Sequence, residues 1–101
     1  MFVCGITAYD FAHIGNMKAI LNYDVLARYL SVHHHYQVYF LQNVTDVDDK
    51  IIKAAQQQDI RWQDIAQKYF NDFREVADAL HITQVTWYAK ATDHITDCIA
   101  Q

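Results

Sequence analysis

The chain has 101 residues, 52% of them hydrophobic and 20% charged, and its formal net charge at pH 7 is −4. This length suits one small domain or part of a larger one, and the composition is too apolar for a disordered segment. The acidic balance disfavours a domain that holds nucleic acid mainly by its phosphates, and no apolar run of about 18 residues predicts a transmembrane helix.

The first half of the chain predicts a strand, a helix and a second strand. Residues 1–6 are a short apolar run, and Gly5 and Gly15 fall where this strand gives way to a helix. Residues 36–44 are nearly continuously β-prone, which predicts a strand covered on both faces of a parallel sheet. Between them, apolar residues recur every three or four positions and predict an amphipathic helix: Met17, Ile20, Leu21, Val25, Leu26, Tyr29 and Leu30.

The second half continues the alternation. Residues 46–58 predict a helix capped by Asp48 or Asp46, and residues 62–80 carry the clearest amphipathic stripe. Residues 82–88 predict a short strand, with Thr92 as the cap of a last helix. The fold class is therefore α/β, with a helix-rich, Rossmann-like parallel sheet that binds ligands at the carboxyl ends of its strands.

The first candidate motif is C-G-I-T-A-Y-D-F-A-H-I-G-N at residues 4–16, which runs from the first strand to the start of the first helix. A glycine allows close backbone approach, and a helix N-terminus offers N–H groups and a positive dipole to a phosphate. His13 would add a hydrogen-bond donor there. Alternatively, His13 is only a polar residue at the helix start.

Three collinear motifs resemble those of the cysteinyl-tRNA synthetases, which are class I aminoacyl-tRNA synthetases. Beside residues 4–16 they are N-V-T-D-V-D-D-K-I-I at residues 43–52 and the weaker K-A-T-D-H-I at residues 90–95. The resemblance implies a ligase of protein biosynthesis that activates cysteine with ATP and Mg²⁺. It also implies that residues 1–101 are the N-terminal half of the catalytic domain, cut short of the remainder.

The resemblance assigns roles to seven residues. His13 and Asn16 would be catalytic and, with Gly15, would bind ATP, with His13 stabilising charge on phosphorus rather than transferring a proton. Gly5, Thr7 and Thr45 would contact cysteine or the adenylate, although both threonines also suit ordinary strand ends. Cys4 would ligate Zn²⁺, which selects the substrate thiol; the alternative is a buried strand cysteine.

Some family features have no counterpart in these residues. The later zinc ligands are missing, Cys98 matches no ligand position, and neither a K-M-S-K-S loop nor the tRNA-reading regions are present. Ile6 replaces the usual proline, as in the related ligase that joins cysteine to glucosaminyl-inositol in mycothiol synthesis. We favour tRNA charging over that reaction. A third hypothesis is a non-catalytic remnant whose open sheet leads to self-association.

Other clusters are given structural roles. Asp46, Asp48 and Asp49 could be mistaken for Mg²⁺ ligands, but capping and local pairing suit at least two of them better. The run His33 to His35 suits an exposed turn better than a metal site, and Trp62, Tyr69, Phe70 and Phe73 have the spacing of a helix core. With no secretory signal, we expect a cytoplasmic protein without a membrane partner and with unpaired cysteines.

Overall fold

A small parallel sheet forms the centre of the fold. The computed structural model describes all of residues 1–101. Its strands are β1 (Phe2–Thr7), β2 (Leu41–Thr45) and β3 (Trp87–Lys90), hydrogen-bonded in the order β1–β2–β3. Both neighbouring pairs are parallel, as strands joined by helical crossovers must be. The predicted α/β fold class is confirmed.

The helices occupy the connections between strands. Helix α1 (Ile14–His33) joins β1 to β2, while α2 (Asp49–Gln58) and α3 (Trp62–Ala79) join β2 to β3. A short 3₁₀ turn, Ala91–His94, and helix α4 (Ile95–Ile99) follow β3. None of these helices has both the length and the apolarity needed to cross a bilayer.

The core lies between the helices and one face of the sheet. One buried cluster joins Val3 of β1 to Ile20 of α1 and Phe73 of α3, and a second joins Val44 of β2 to α2 and α3. Tyr88 of β3 packs its ring edge-on against Phe73, and burial raises the pKa of its phenol. The predicted α3 stripe supplies five of these buried residues: Ile65, Ala66, Tyr69, Phe73 and Ala77.

The amphipathic face predicted for α1 is wrong in detail. Of the seven apolar residues that predicted it, only Met17 and Ile20 are buried, and the buried stripe continues through Asp24 and Ala27. Asp24 is only 1% exposed. Its burial is tolerated because its carboxylate accepts hydrogen bonds from the backbone N–H groups of Thr83 (2.8 Å) and Gln84 (2.7 Å). A charged residue thus occupies a core position that hydrophobic periodicity assigns to its apolar neighbours.

Both later strands are shorter than predicted and lie later in the chain: β2 is Leu41–Thr45 rather than 36–44, and β3 is Trp87–Lys90 rather than 82–88. Their late starts have a common cause. Residues 82–86 are not strand, because the N–H groups of Thr83 and Gln84 donate to Asp24 instead of to a neighbouring strand. Residues 36–40 precede β2, where the Phe40 N–H donates to the Thr86 hydroxyl at 3.0 Å. In the segments that precede β2 and β3, side-chain oxygens of Thr86 and Asp24 therefore accept hydrogen bonds from backbone N–H groups that a longer strand would use.

The predicted helix caps are partly confirmed. Asp48 caps α2 by accepting from the Lys50 N–H at 2.8 Å, so the helix begins at Asp49 rather than at residue 46. Thr92 does not cap the last helix: it lies within the 3₁₀ turn, where its N–H donates to the Asp46 carboxylate at 3.0 Å. Asp46 is therefore a buried tie between β2 and the segment after β3.

The Asp24 network predicts a large stability effect from one substitution. Asp24→Ala should lower the free energy of unfolding by about 3 kcal/mol, because it leaves the part-buried N–H groups of Thr83 and Gln84 without their acceptor and removes the carboxylate partner of Arg28. Urea denaturation at fixed protein concentration measures this. Asp64→Ala removes the exposed pair with Arg61 and is the control, expected to change stability little. Equal effects of the two variants would contradict the role given to Asp24.

Candidate functional site

A cleft of about 280 Å³ lies at the carboxyl end of β1, beside the start of α1. Four of the seven site residues predicted from sequence line it: Gly5, Thr7, His13 and Asn16. Parallel α/β sheets bind ligands at this end of their strands. The volume is close to the lower end of the roughly 300–1,000 Å³ of typical small-molecule sites.

His13 caps the N-terminus of α1. Its Nδ1 accepts a hydrogen bond from the Gly15 N–H at 3.1 Å, while the Asn16 Oδ1 accepts from the His13 N–H at 3.1 Å. This reciprocal pair is a capping box built from His and Asn. Because Nδ1 is the acceptor, the neutral ring carries its hydrogen on Nε2, which has no partner in the chain. His13 is thus a helix-start residue that keeps a spare donor.

Gly15 gives the His13 ring its space. A Cβ at position 15 would lie 2.9 Å from the His13 Cε1 and 3.0 Å from its Nδ1, closer than such atoms normally approach. The Gly15 N–H is also engaged by the same ring. Gly15 itself does not line the cleft, so its contribution to the site is to admit the capping ring.

Gly5 is fixed by the neighbouring strand. Its N–H donates to the Asn43 Oδ1 at 2.7 Å, and a Cβ at position 5 would lie 1.7 Å from the Asn43 carbonyl oxygen. The pairing register between β1 and β2 also shifts between Val3 and Ile6. The space beside the Gly5 α-carbon therefore belongs to the backbone of β2. Sequence reasoning missed Asn43, although it opens the second motif.

The two threonines predicted to contact substrate are brought together by strand pairing. Thr7 and Thr45 are opposite each other at the ends of β1 and β2, and the Thr45 carbonyl accepts from the Ala8 N–H at 3.0 Å. Only Thr7 lines the cleft. Thr45 is half-buried, and its hydroxyl lies 3.5 Å from the Nδ2 of Asn43, the residue whose side-chain oxygen binds the Gly5 N–H.

Cys4 lies on the open face of the sheet. Its thiol is free and exposed, so the alternative of a buried strand cysteine is wrong; Cys98 is free and exposed as well. No group of three or more His, Cys, Asp or Glu side chains in the chain is arranged to hold a metal ion. His33 to His35 are all exposed, as predicted, but His33 is the last residue of α1 and only His34 and His35 follow the helix, with His34 stacked on Tyr36.

Lys50 and Tyr9 also line the cleft and were not assigned to it from sequence. The Lys50 ammonium lies over the Tyr9 ring, with Nζ 5.1 Å from the ring centroid. Both residues belong to the motifs quoted above, but spacing along the chain does not reveal that the two motifs meet. The only sequence signal for Lys50 was the D-D-K run, which places a lysine in the first turn of a helix that Asp48 caps.

The whole chain, residues 1–101, matches the family described as tRNA synthetases class I (C) catalytic domain. The chain belongs to this family. The resemblance inferred from the three motifs is therefore confirmed, and the catalytic-domain family agrees with the observed α/β fold.

Several relatives in this family are named cysteine–tRNA ligase. The chain is 47% identical to that of Nitratidesulfovibrio vulgaris strain DP4 over 100 residues, covering 99% of this chain and 20% of the relative. The relative from Desulfovibrio desulfuricans is 46% identical over 97 residues, 96% of this chain and 20% of the relative. The relative from Thermoplasma acidophilum is 43% identical over 101 residues, which cover 100% of this chain and 22% of the relative. The chain spans about a fifth of the length of these relatives.

The contact between Gly5 and Asn43 predicts that position 5 tolerates no side chain. Gly5→Ala should lower the free energy of unfolding by at least about 3 kcal/mol, or prevent folding, because backbone must move to admit the methyl group. Thermal unfolding followed by circular dichroism measures the change.

Gly15→Ala is the matched control for this substitution. Its added methyl group meets only the His13 ring, which can rotate away, so the net change should be about 1 kcal/mol or less. If Gly5→Ala were no more destabilising than Gly15→Ala, the close approach of the two strands would be contradicted.

Proposed function

We propose that this chain carries the part of a cysteine–tRNA ligase that binds the ATP phosphates. The capped start of α1 carries this proposal, because it combines a helix N-terminus with an imidazole whose Nε2 is free to donate. The relatives named cysteine–tRNA ligase support the choice of reaction. We propose a cytoplasmic location for this ligase.

The proposed reaction has two steps. The cysteine carboxylate attacks the α-phosphorus of ATP, which is bound with Mg²⁺, and pyrophosphate leaves as cysteinyl-adenylate forms. A ribose hydroxyl at the tRNA 3′ end then takes the cysteinyl group and AMP leaves. His13 would donate from Nε2 to an oxygen on the reacting phosphorus, where negative charge accumulates. Asn16 holds the His13 backbone in place through its hydrogen bond. We place contacts to tRNA outside these residues.

Thr7 and Gly5 place the aminoacyl end of the site next to the phosphates in this proposal. Thr7 presents a hydroxyl-bearing side chain to the same cleft as His13, and Thr45 lies opposite it in the register. Gly5 acts indirectly, because its contact with Asn43 sets the path of β1 before Thr7. Hydroxyl groups at this point suit the amino and carboxylate groups of an amino acid.

The donor set of this chain does not fit a zinc ion. One exposed thiol, that of Cys4, offers one ligand where protein zinc sites use three or four, and no other candidate donors gather near it. We propose that Cys4 contributes to metal binding only together with ligands from outside these 101 residues. Its exposure on the open face of the sheet leaves it accessible to them.

The mycothiol-type ligase shares the first step with the proposed function and differs in the acceptor. Ile6 suggested that reaction, but Ile6 packs against both buried clusters of the fold. A branched apolar residue at this position therefore has a packing explanation that is independent of the acceptor. The relatives named cysteine–tRNA ligase favour tRNA.

The role of His13 is tested in a protein of the relatives' length that contains this chain. His13→Ala should lower cysteine-dependent exchange between ATP and pyrophosphate by about 100-fold, because one charge-stabilising donor is lost. Cysteine affinity, measured by isothermal titration calorimetry, should change by less than about threefold. His33→Ala, at the exposed last residue of α1, is the control and should leave both unchanged. Equal losses of exchange and cysteine affinity would refute this role.

The open face of the sheet favours self-association as a second candidate function. Phe2 is 69% and Trp87 53% exposed, both on strands at the edges of the sheet. Exposed apolar groups on an uncovered sheet promote association with a second chain. In this candidate the chain acts as a binding module, and the cleft has no role.

The second candidate predicts that the 101-residue chain forms dimers or larger species at micromolar concentration, measured by sedimentation velocity. Replacing both Phe2 and Trp87 by Thr should shift the chain toward monomer, because it removes exposed apolar surface. Ile99→Thr removes an apolar residue of α4 that is even more exposed, at 80%, and should not shift the chain toward monomer. A strictly monomeric parent chain at 100 μM, on the order of laboratory working concentrations, would exclude this candidate.

A further inference from the structure

The cleft contains a positive charge to which the proposed reaction gives no role. Lys50 is the only lysine or arginine among the residues that line it. It reaches the cleft from α2, whereas His13 and Asn16 reach it from α1. Two helix starts that are far apart in sequence therefore contribute to one concave surface.

Two contacts hold Lys50 at this place. Its backbone N–H donates to the Asp48 Oδ1 at 2.8 Å, which fixes the first turn of α2. Its ammonium lies over Tyr9, whose own N–H donates to the Thr7 carbonyl at 3.0 Å in the turn after β1. The aromatic ring keeps the side chain beside the cleft without consuming its hydrogen-bond donors.

The Lys50 ammonium has no carboxylate partner. The ion pairs of the chain are Arg28–Asp24, Arg61–Asp64 and His94–Asp97, and none involves Lys50. Asp10 also lines the cleft, but it accepts from the Phe11 N–H at 2.7 Å and makes no bond to Lys50. All three N–H donors of Lys50 therefore remain available to an anion.

We propose that Lys50 binds the phosphate chain of the nucleotide. It does so from α2, whereas His13 contacts the phosphates from the start of α1. This inference rests on the proposed function and adds a residue to it. The nucleotide supplies several negative charges, and a lysine ammonium with free N–H donors forms charge-assisted hydrogen bonds to phosphate oxygens.

The competing explanation is that Lys50 only covers the Tyr9 ring. Under that explanation, its removal changes packing slightly and leaves anion affinity alone. Lys53 provides a matched control, because it is an exposed lysine on the same helix that does not line the cleft. It reports any effect of net charge alone.

The test titrates the 101-residue chain with inorganic tripolyphosphate, and separately with ATP and adenosine, by isothermal titration calorimetry. Lys50→Met should weaken tripolyphosphate binding about tenfold and reduce its salt dependence, since one charged contact is lost. Lys50→Arg should keep affinity within about threefold because it retains the charge, and Lys53→Met within about twofold. Circular dichroism checks that each variant folds. If Lys50→Met does not fold, Lys50→Gln serves as a second neutral variant.

Each result separates the inference from the proposed function. The role of Lys50 would be overturned by unchanged tripolyphosphate affinity in Lys50→Met, or by equal losses in Lys50→Met and Lys53→Met. In either case, ATP binding by the parent chain would still support the proposed function. Binding of adenosine without tripolyphosphate would overturn both, because the proposed function also places the ATP phosphates in this cleft. A parent chain that binds none of the three would overturn both.

Discussion

The close approach of β1 to β2 at Gly5 is the constraint on which the site depends. The Asn43 side chain accepts from the Gly5 N–H at 2.7 Å, and the Asn43 carbonyl occupies the space a Cβ would need. The local shift in register then sets where β1 ends and where the turn to α1 begins. His13 follows Gly5 by eight residues, so the position of His13 relative to the sheet depends on the close contact that Gly5 permits.

The three sequence motifs meet at one edge of the sheet for physical reasons that differ from one motif to the next. The first and second meet through strand pairing and through the contact of Lys50 with Tyr9. The second and third meet through Asp46, whose buried carboxylate accepts from Thr92. A buried carboxylate is costly unless satisfied, so Asp46 holds the segment after β3 against the end of β2. An acidic residue resembling a metal ligand in sequence is thus a structural tie.

Sequence alone predicted the parallel α/β fold and α3 well, because residues 62–80 have strong 3.6-residue periodicity and the βαβ order allows few topologies. It failed where side chains capture backbone donors. Asp24 turns residues 82–86 away from strand, and apolar spacing on α1 does not reveal that a carboxylate replaces a core residue. The same limit applies to the site: H-I-G-N located His13, but only the fold shows Lys50 reaching the same cleft.

The cleft therefore combines donors with different physical properties. His13 is held rigidly by its own helix, with Nδ1 engaged and Nε2 oriented by that bond, so its donor is preorganised. Lys50 is a point charge on a flexible stem resting on an aromatic ring, so it adapts to the position of an anion. A fixed donor suits a phosphorus centre whose charge grows during reaction, whereas an adaptable cation suits phosphates that must first be captured. This division of tasks explains why one cleft would draw its donors from two helices.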